Sequence, residues 1–345
     1  MKALVLKEYG RFRFEEFPKP ICKPDEVLVR VRACAICGSD VHGMDGSTGR
    51  RVPPIVMGHE AAGVVEETGV DAEAAGYRPG DRVTFDSTVS CGRCPYCRQG
   101  DVNLCDDRKV LGVSCAEYRL HGAFAEYVAV PARILYRLPD AVSFEHAAMV
   151  EPLSVALHAV RRSGAVPGDA TVVVGAGLIG LLVVQLLRNA GCSPIFAVDL
   201  AQSRLDLARR LGADITLRSD AVDVPAAVFA ATGGRGAAVA FECVGVTPTV
   251  RTAVAVLRKG GALTLVGNVA PTVDLPLQSV VTRQLTLHGS CASAGEYPQC
   301  LELIASGQVD VDALLSAVAP LSEGDAWFQR LHAAEPGLMK VVLVP

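Results

Sequence analysis

The chain has 345 residues, half of them apolar, which at about 150 residues per domain is ample for two buried cores and excludes disorder. Lysine and arginine total 33 against 37 acidic residues, a net charge of −4 with no basic block to neutralise phosphates. Nucleic acid is therefore not expected as the main partner.

The chain opens on an apolar run at 3–6, shorter than the signal-peptide core of about 7–15 residues, and no apolar stretch reaches the roughly 20 needed to cross a bilayer. A cytoplasmic, soluble protein is the expectation. Twelve cysteines without a secretory signal then favour metal or reactive-thiol use over disulfides.

Short strands are predicted at 26–31, 63–66 and 81–85, punctuated by Pro53-Pro54, Pro79-Gly80 and Pro139, the pattern of a mostly β, loop-rich domain. Within it, Cys91, Cys94, Cys97 and Cys105 fall close together. Four thiolates on one loop suit a closed tetrahedral zinc site with no position left for substrate. An iron–sulfur cluster and an incidental cysteine-rich loop are the competing readings. A second, dispersed group comprises Cys37, His59, Glu60 and Glu151. Thiolate, imidazole and carboxylate form a zinc set that can leave one position open, which is the pattern of a catalytic site. Cys34 and Cys37 also read as a C-x-x-C redox pair, but no thioredoxin-like βαβ pattern surrounds them and Cys34 continues an apolar strand.

Beyond about residue 150 the pattern becomes apolar strands alternating with helices: strands at 171–174, 195–198, 237–241 and 262–266, helices at 178–190, 202–211 and 250–257. That alternation predicts a doubly wound parallel sheet, an α/β fold. Gly175, Gly177 and Gly180 form a G-x-G-x-x-G between the first strand and helix. The first glycine permits the tight turn, the second lets backbone approach a pyrophosphate, and the third lets helix pack on strand. Asp199 ends the next strand, placed to accept hydrogen bonds from both adenosine ribose hydroxyls. Its charge would repel a 2′-phosphate, so NAD is expected over NADP, with Arg204 flanking the adenine.

Assembled, these residues resemble the zinc-containing medium-chain dehydrogenase/reductase family, within it the sorbitol and other polyol dehydrogenases. The likeness runs end to end through Cys37-Gly38-Ser39-Asp40-Val41-His42, Gly58-His59-Glu60, the cysteine lobe, Gly122-Ala123-Phe124-Ala125-Glu126-Tyr127, Glu151-Pro152-Leu153 and Phe241-Glu242-Cys243-Val244-Gly245. It implies a GroES-like catalytic domain at 1–153, a Rossmann domain at 154–288 and a segment at 289–345 that returns to the first. It also implies an active site in the cleft and a homo-oligomer, dimer or tetramer.

By the same resemblance Cys37 and His59 are zinc ligands, Glu60 and Glu151 are either ligands or a ligand and its water-holding neighbour, and Asp40 orients His59. Cofactor contacts extend to Ile179, to Val266, Gly267 and Asn268, and to Ser290, Cys291 and Ala292. The implied reaction oxidises a secondary alcohol of a polyol to a ketone, with zinc as Lewis acid and hydride transfer to NAD. Ser39 would receive the alcohol proton and His42 relay it to solvent, although Ser39 could instead merely cap a helix. Sorbitol dehydrogenases carry an aromatic residue where Gly43 stands and an arginine where Ala292 stands. Galactitol-phosphate, threonine and butanediol oxidation therefore stay open as alternatives. Arg50, Arg51 and Arg119 read as solvated surface arginines or, for a phosphorylated substrate, as its contacts. Outside this class stand a zinc-ribbon nucleic-acid binder and a zinc-free quinone reductase.

Overall fold

A computed structural model describes the whole chain, Met1–Pro345, as two compact units. The first comprises Met1–Glu151, Tyr297–Ser306 and Val311–Pro345; the second comprises Pro152–Glu296 and Gly307–Asp310.

The first unit is mostly β. Its central strand, Glu26–Ala35, extends past the predicted 26–31, because Ala33, Cys34 and Ala35 continue the buried face. Two β-bulges interrupt its antiparallel pairing with Glu60–Thr68, and that register sets Ala35 opposite Glu60. At its C-terminal end the same strand pairs with Lys340–Val344, setting Ala35 opposite Val342. Three distant stretches of sequence thus meet at one end of one sheet: the segment after Ala35, the start of Glu60–Thr68 and the start of Lys340–Val344. Beneath lies an apolar core in which Phe328 stacks on Phe12 at 4.3 Å between ring centres and meets Phe124 edge-on at 5.6 Å.

The second unit carries a six-stranded parallel sheet ordered Ile215–Arg218, Ile195–Asp199, Thr171–Val174, Ala237–Glu242, Leu257–Leu265, Thr286–Gly289. Chain order reverses between Thr171–Val174 and Ala237–Glu242, the switch point at which open α/β sheets bind ligands. The inner strands are continuous apolar runs, as a sheet covered on both faces requires. One helix begins earlier than the predicted 250: Thr247–Ala255 starts with Pro248 in its first turn, where a fixed φ suits the helix, and Leu257 joins the next strand instead. The strand Ile215–Arg218 and the helix Val224–Ala231 carry too weak a periodicity to be announced by sequence. The second unit runs to Glu296 rather than ending at 288, since the Glu296 carboxylate is tied to His158 Nδ1 at 3.0 Å and to Arg161 at 3.3 Å.

Candidate active site

In the first unit, Cys37 sits just beyond Glu26–Ala35 as the N-cap of the short helix Gly38–Gly43. His59 and Glu60 stand where Glu60–Thr68 begins. The ligand atoms of Cys37, His59 and Glu60 lie within 4.8 Å of one another, with His59 and Glu60 buried. That donor set fits zinc. Glu151, in the first turn of the helix Val150–Ser163, stands outside this trio. Burial and then the charge of Glu60 push its carboxyl up to about 7.

Two orphaned atoms mark the back of the trio. Asp40 Oδ2 and His59 Nδ1 are both buried 3.4 Å apart without the alignment of a hydrogen bond. Burial pushes the His59 imidazole down, yet the charges of Asp40 and Cys37 outweigh it and raise His59 well above the ordinary histidine range. The same negative field favours a metal cation. Asp40 is itself held well below the usual carboxylate range, because His59 and Arg51 outweigh its burial.

Ser39 lies inside the helix rather than capping it; its hydroxyl donates to Cys37 Sγ at 3.3 Å. His42 follows three residues on, exposed, and so on the same helical face. Arg51 is neither solvated nor available to a phosphate. It is 5% exposed, and its Nε and Nη2 donate to Asp40 Oδ1 at 3.0 and 2.8 Å. Arg50 and Arg119 do remain exposed. Sequence reasoning also missed Lys340, whose ammonium donates to Glu60 Oε2 and to the Ile36 carbonyl. The one available signal was a charge opening the otherwise apolar run 341–344.

Cys91, Cys94, Cys97 and Cys105 converge with all sulfurs within 4.8 Å. The Sγ atoms of Cys94 and Cys97 are 3.5 Å apart and those of Cys91 and Cys97 are 4.0 Å apart, bracketing the roughly 3.8 Å that Zn–S bonds of about 2.3 Å impose on a tetrahedron. The backbone N–H groups of Arg93 and Cys94 donate to Cys91 Sγ and lower that thiol to about 6, the state a metal needs. Burial raises Cys105 to about 11, which a bound cation would reverse.

In the second unit the glycine turn separates three jobs. Gly175 has φ +97°, and a Cβ there would lie 2.5 Å from Val244. A Cβ on Gly180 would strike the Gly175 carbonyl. A Cβ on Gly177 would meet nothing within 4 Å. The open space therefore lies at the N-cap of the twelve-residue helix Leu178–Asn189, where N–H groups and dipole favour an anion. Asp199 ends its strand beside the turn and accepts from the Ala176 and Ala201 N–H groups at 2.7 and 2.9 Å, with Arg204 3.9 Å away. Each carboxylate oxygen retains a lone pair for a ribose hydroxyl. Ile179 occupies the first turn of that helix. Val266 and Gly267 donate to the Glu242 carbonyl ahead of Asn268. Ser290 Oγ is buried without a partner, and Cys291 and Ala292 follow, Ala292 with φ +50°.

Residues 23–140 match the family model of the alcohol dehydrogenase GroES-like domain, and residues 179–306 that of the zinc-binding dehydrogenase. D-xylulose reductase A of Aspergillus niger is 34% identical over 342 residues, which span 96% of this chain and 94% of that one. Sorbitol dehydrogenase of Bacillus subtilis is 32% identical over 349 residues, spanning 100% and 97%. A zinc-binding dehydrogenase of Sinorhizobium meliloti 1021, solved bound to NADP, superposes with a TM-score of 0.90 at 32% identity, covering 100% of this chain and 99% of that one.

Proposed function

The chain belongs to the zinc-binding dehydrogenases of the alcohol dehydrogenase family, and from that premise we propose that it oxidises a secondary alcohol of a polyol or sugar-type substrate to the ketone, with NAD as acceptor. The observation that carries this reading is the convergence of Cys37, His59 and Glu60 within 4.8 Å beside a second, four-cysteine group in the same unit. When bound, zinc supplies a Lewis acid toward the alcohol oxygen and the dinucleotide supplies a hydride acceptor.

The chain's own residues do the rest. Cys37, His59 and Glu60 hold the catalytic ion, and Glu151 is the neighbouring carboxyl that holds water. Ser39, exposed and two residues from Cys37, takes the alcohol proton, and His42 passes it towards solvent. Cys91, Cys94, Cys97 and Cys105 hold a structural zinc. The open approach at Gly177 supports a dinucleotide there, and the Asp199 carboxylate supports NAD over NADP. Ile179, Arg204, Val266 to Asn268 and Ser290 to Ala292 complete the cofactor contacts.

No helix is long and apolar enough to cross a membrane. Twelve free cysteines support a reducing, cytoplasmic setting. The strand Thr286–Gly289 closes the sheet order with one side unpaired, and Leu277 and Val281 nearby are 64% and 65% exposed. An edge of that kind supports self-association into a dimer or tetramer. The activity is tested by following NADH formation over free polyols, phosphorylated polyols, threonine and simple diols, with and without a chelator. Turnover of a polyol that the chelator abolishes is expected; chelator-insensitive turnover, or none on any alcohol, would reject the reading.

A further inference from the structure

We propose that Arg51 is a positioning residue of the Cys37–His59–Glu60 centre, and that the glycine at position 43 is what admits it. The inference rests on the reading of that trio as a metal centre. Gly43 is buried, and a Cβ built on it would lie 2.6 Å from Arg51 Cγ and 3.2 Å from Thr48 Oγ1. The arginine stem thus fills the volume that a side chain at 43 would take. Packed there, the guanidinium reaches inward rather than into solvent.

Each of its three nitrogens donates to a neighbouring group. Nε and Nη2 both bind Asp40 Oδ1, Nη1 donates to the Arg50 carbonyl at 3.1 Å, and Nη2 also lies 3.4 Å from Ser39 Oγ. Because the fork holds one oxygen of Asp40, the other is left facing His59 Nδ1. That charge contact, 3.4 Å long, turns Nδ1 towards Asp40 and leaves the other ring nitrogen for the metal. The guanidinium also cancels the charge of Asp40, so the carboxylate orients the ligand without adding net negative charge. A fully buried carboxylate deprived of its cation would not hold that position. A lysine lacks the planar fork that grips one oxygen twice.

The test is the release of zinc from the full-length holoprotein to a colorimetric chelator, with the four-cysteine zinc as internal reference. Arg51→Met and Gly43→Ala should each speed release of the catalytic zinc about 10–100-fold, the usual effect of losing an outer-shell partner, with the reference phase unchanged. Cobalt substituted at the same centre should change its visible absorption in both variants, a shift that general destabilisation does not produce. If Arg51→Met does not fold, Gly43→Ala decides, since it removes no polar group. Unchanged release and an unchanged cobalt spectrum would overturn the role of Arg51 while leaving the metal centre intact. A wild-type chain that takes up no metal dependent on Cys37 would instead reject the underlying reading. Loss in Arg51→Met alone would overturn the part assigned to Gly43.

Discussion

Lys340 Nζ lies 2.5 Å from Glu60 Oε2, with both side chains at most 2% exposed and a sequence separation of 280. Lys340–Val344 pairs with the same strand that Glu60–Thr68 flanks, so the sheet brings the two charges together and supplies the Ile36 carbonyl as a second acceptor. Removing one member strands the other. Lys340→Met should lower unfolding stability by about 3–5 kcal/mol in urea titrations, and Glu60→Gln in that background should recover part of the loss. A change below about 1 kcal/mol would mean that Glu60 does not depend on this lysine.

That pair also marks where sequence reading ends. The glycine fingerprint, the four cysteines and Gly58-His59-Glu60 are local signals, each needing only a few residues at fixed spacing. Arg51 gives no such signal, because its burial depends on the absence of a side chain at Gly43. Lys340 depends on a strand pairing that joins the two ends of the chain. Fully buried strands such as Thr171–Val174 were legible to the residue, whereas Ile215–Arg218, equally short but at the sheet's edge and only partly buried, was not.

Two glycines of the turn should separate fold from binding. Gly177→Ala places its Cβ in open space, so the thermal midpoint should hold while the NAD dissociation constant rises at least about tenfold, or 1.4 kcal/mol. Gly180→Ala collides with the Gly175 carbonyl and should lower the midpoint itself. Equal thermal loss in both would contradict the assignment of ligand space to Gly177.

Asp199→Ser should weaken NAD by about tenfold or more and tighten NADP, because the repulsion towards a 2′-phosphate is removed. Calorimetric titration with both cofactors measures this. An unchanged NAD to NADP ratio would remove Asp199 from the ribose.

Acid should act on the second unit through Glu296. Burial pushes its carboxyl up, but the His158 ring, the Ala294 N–H and Arg161 outweigh that and hold it below the ordinary glutamate range. A depressed folded pKa contributes stability above the unfolded value of about 4.3 and loses it as pH falls through the folded value. Urea titrations between about pH 3 and 6 should show a shallower acid loss in Glu296→Gln than in wild type. Parallel curves would contradict the pairing.

The metal content of purified chain, measured together with polyol-dependent NADH formation, tests the central claim most directly. The account predicts about two zincs in wild type, and about one in Cys37→Ser with turnover abolished and NAD binding kept. A Cys37→Ser protein that retains both zincs and near-normal turnover would contradict it.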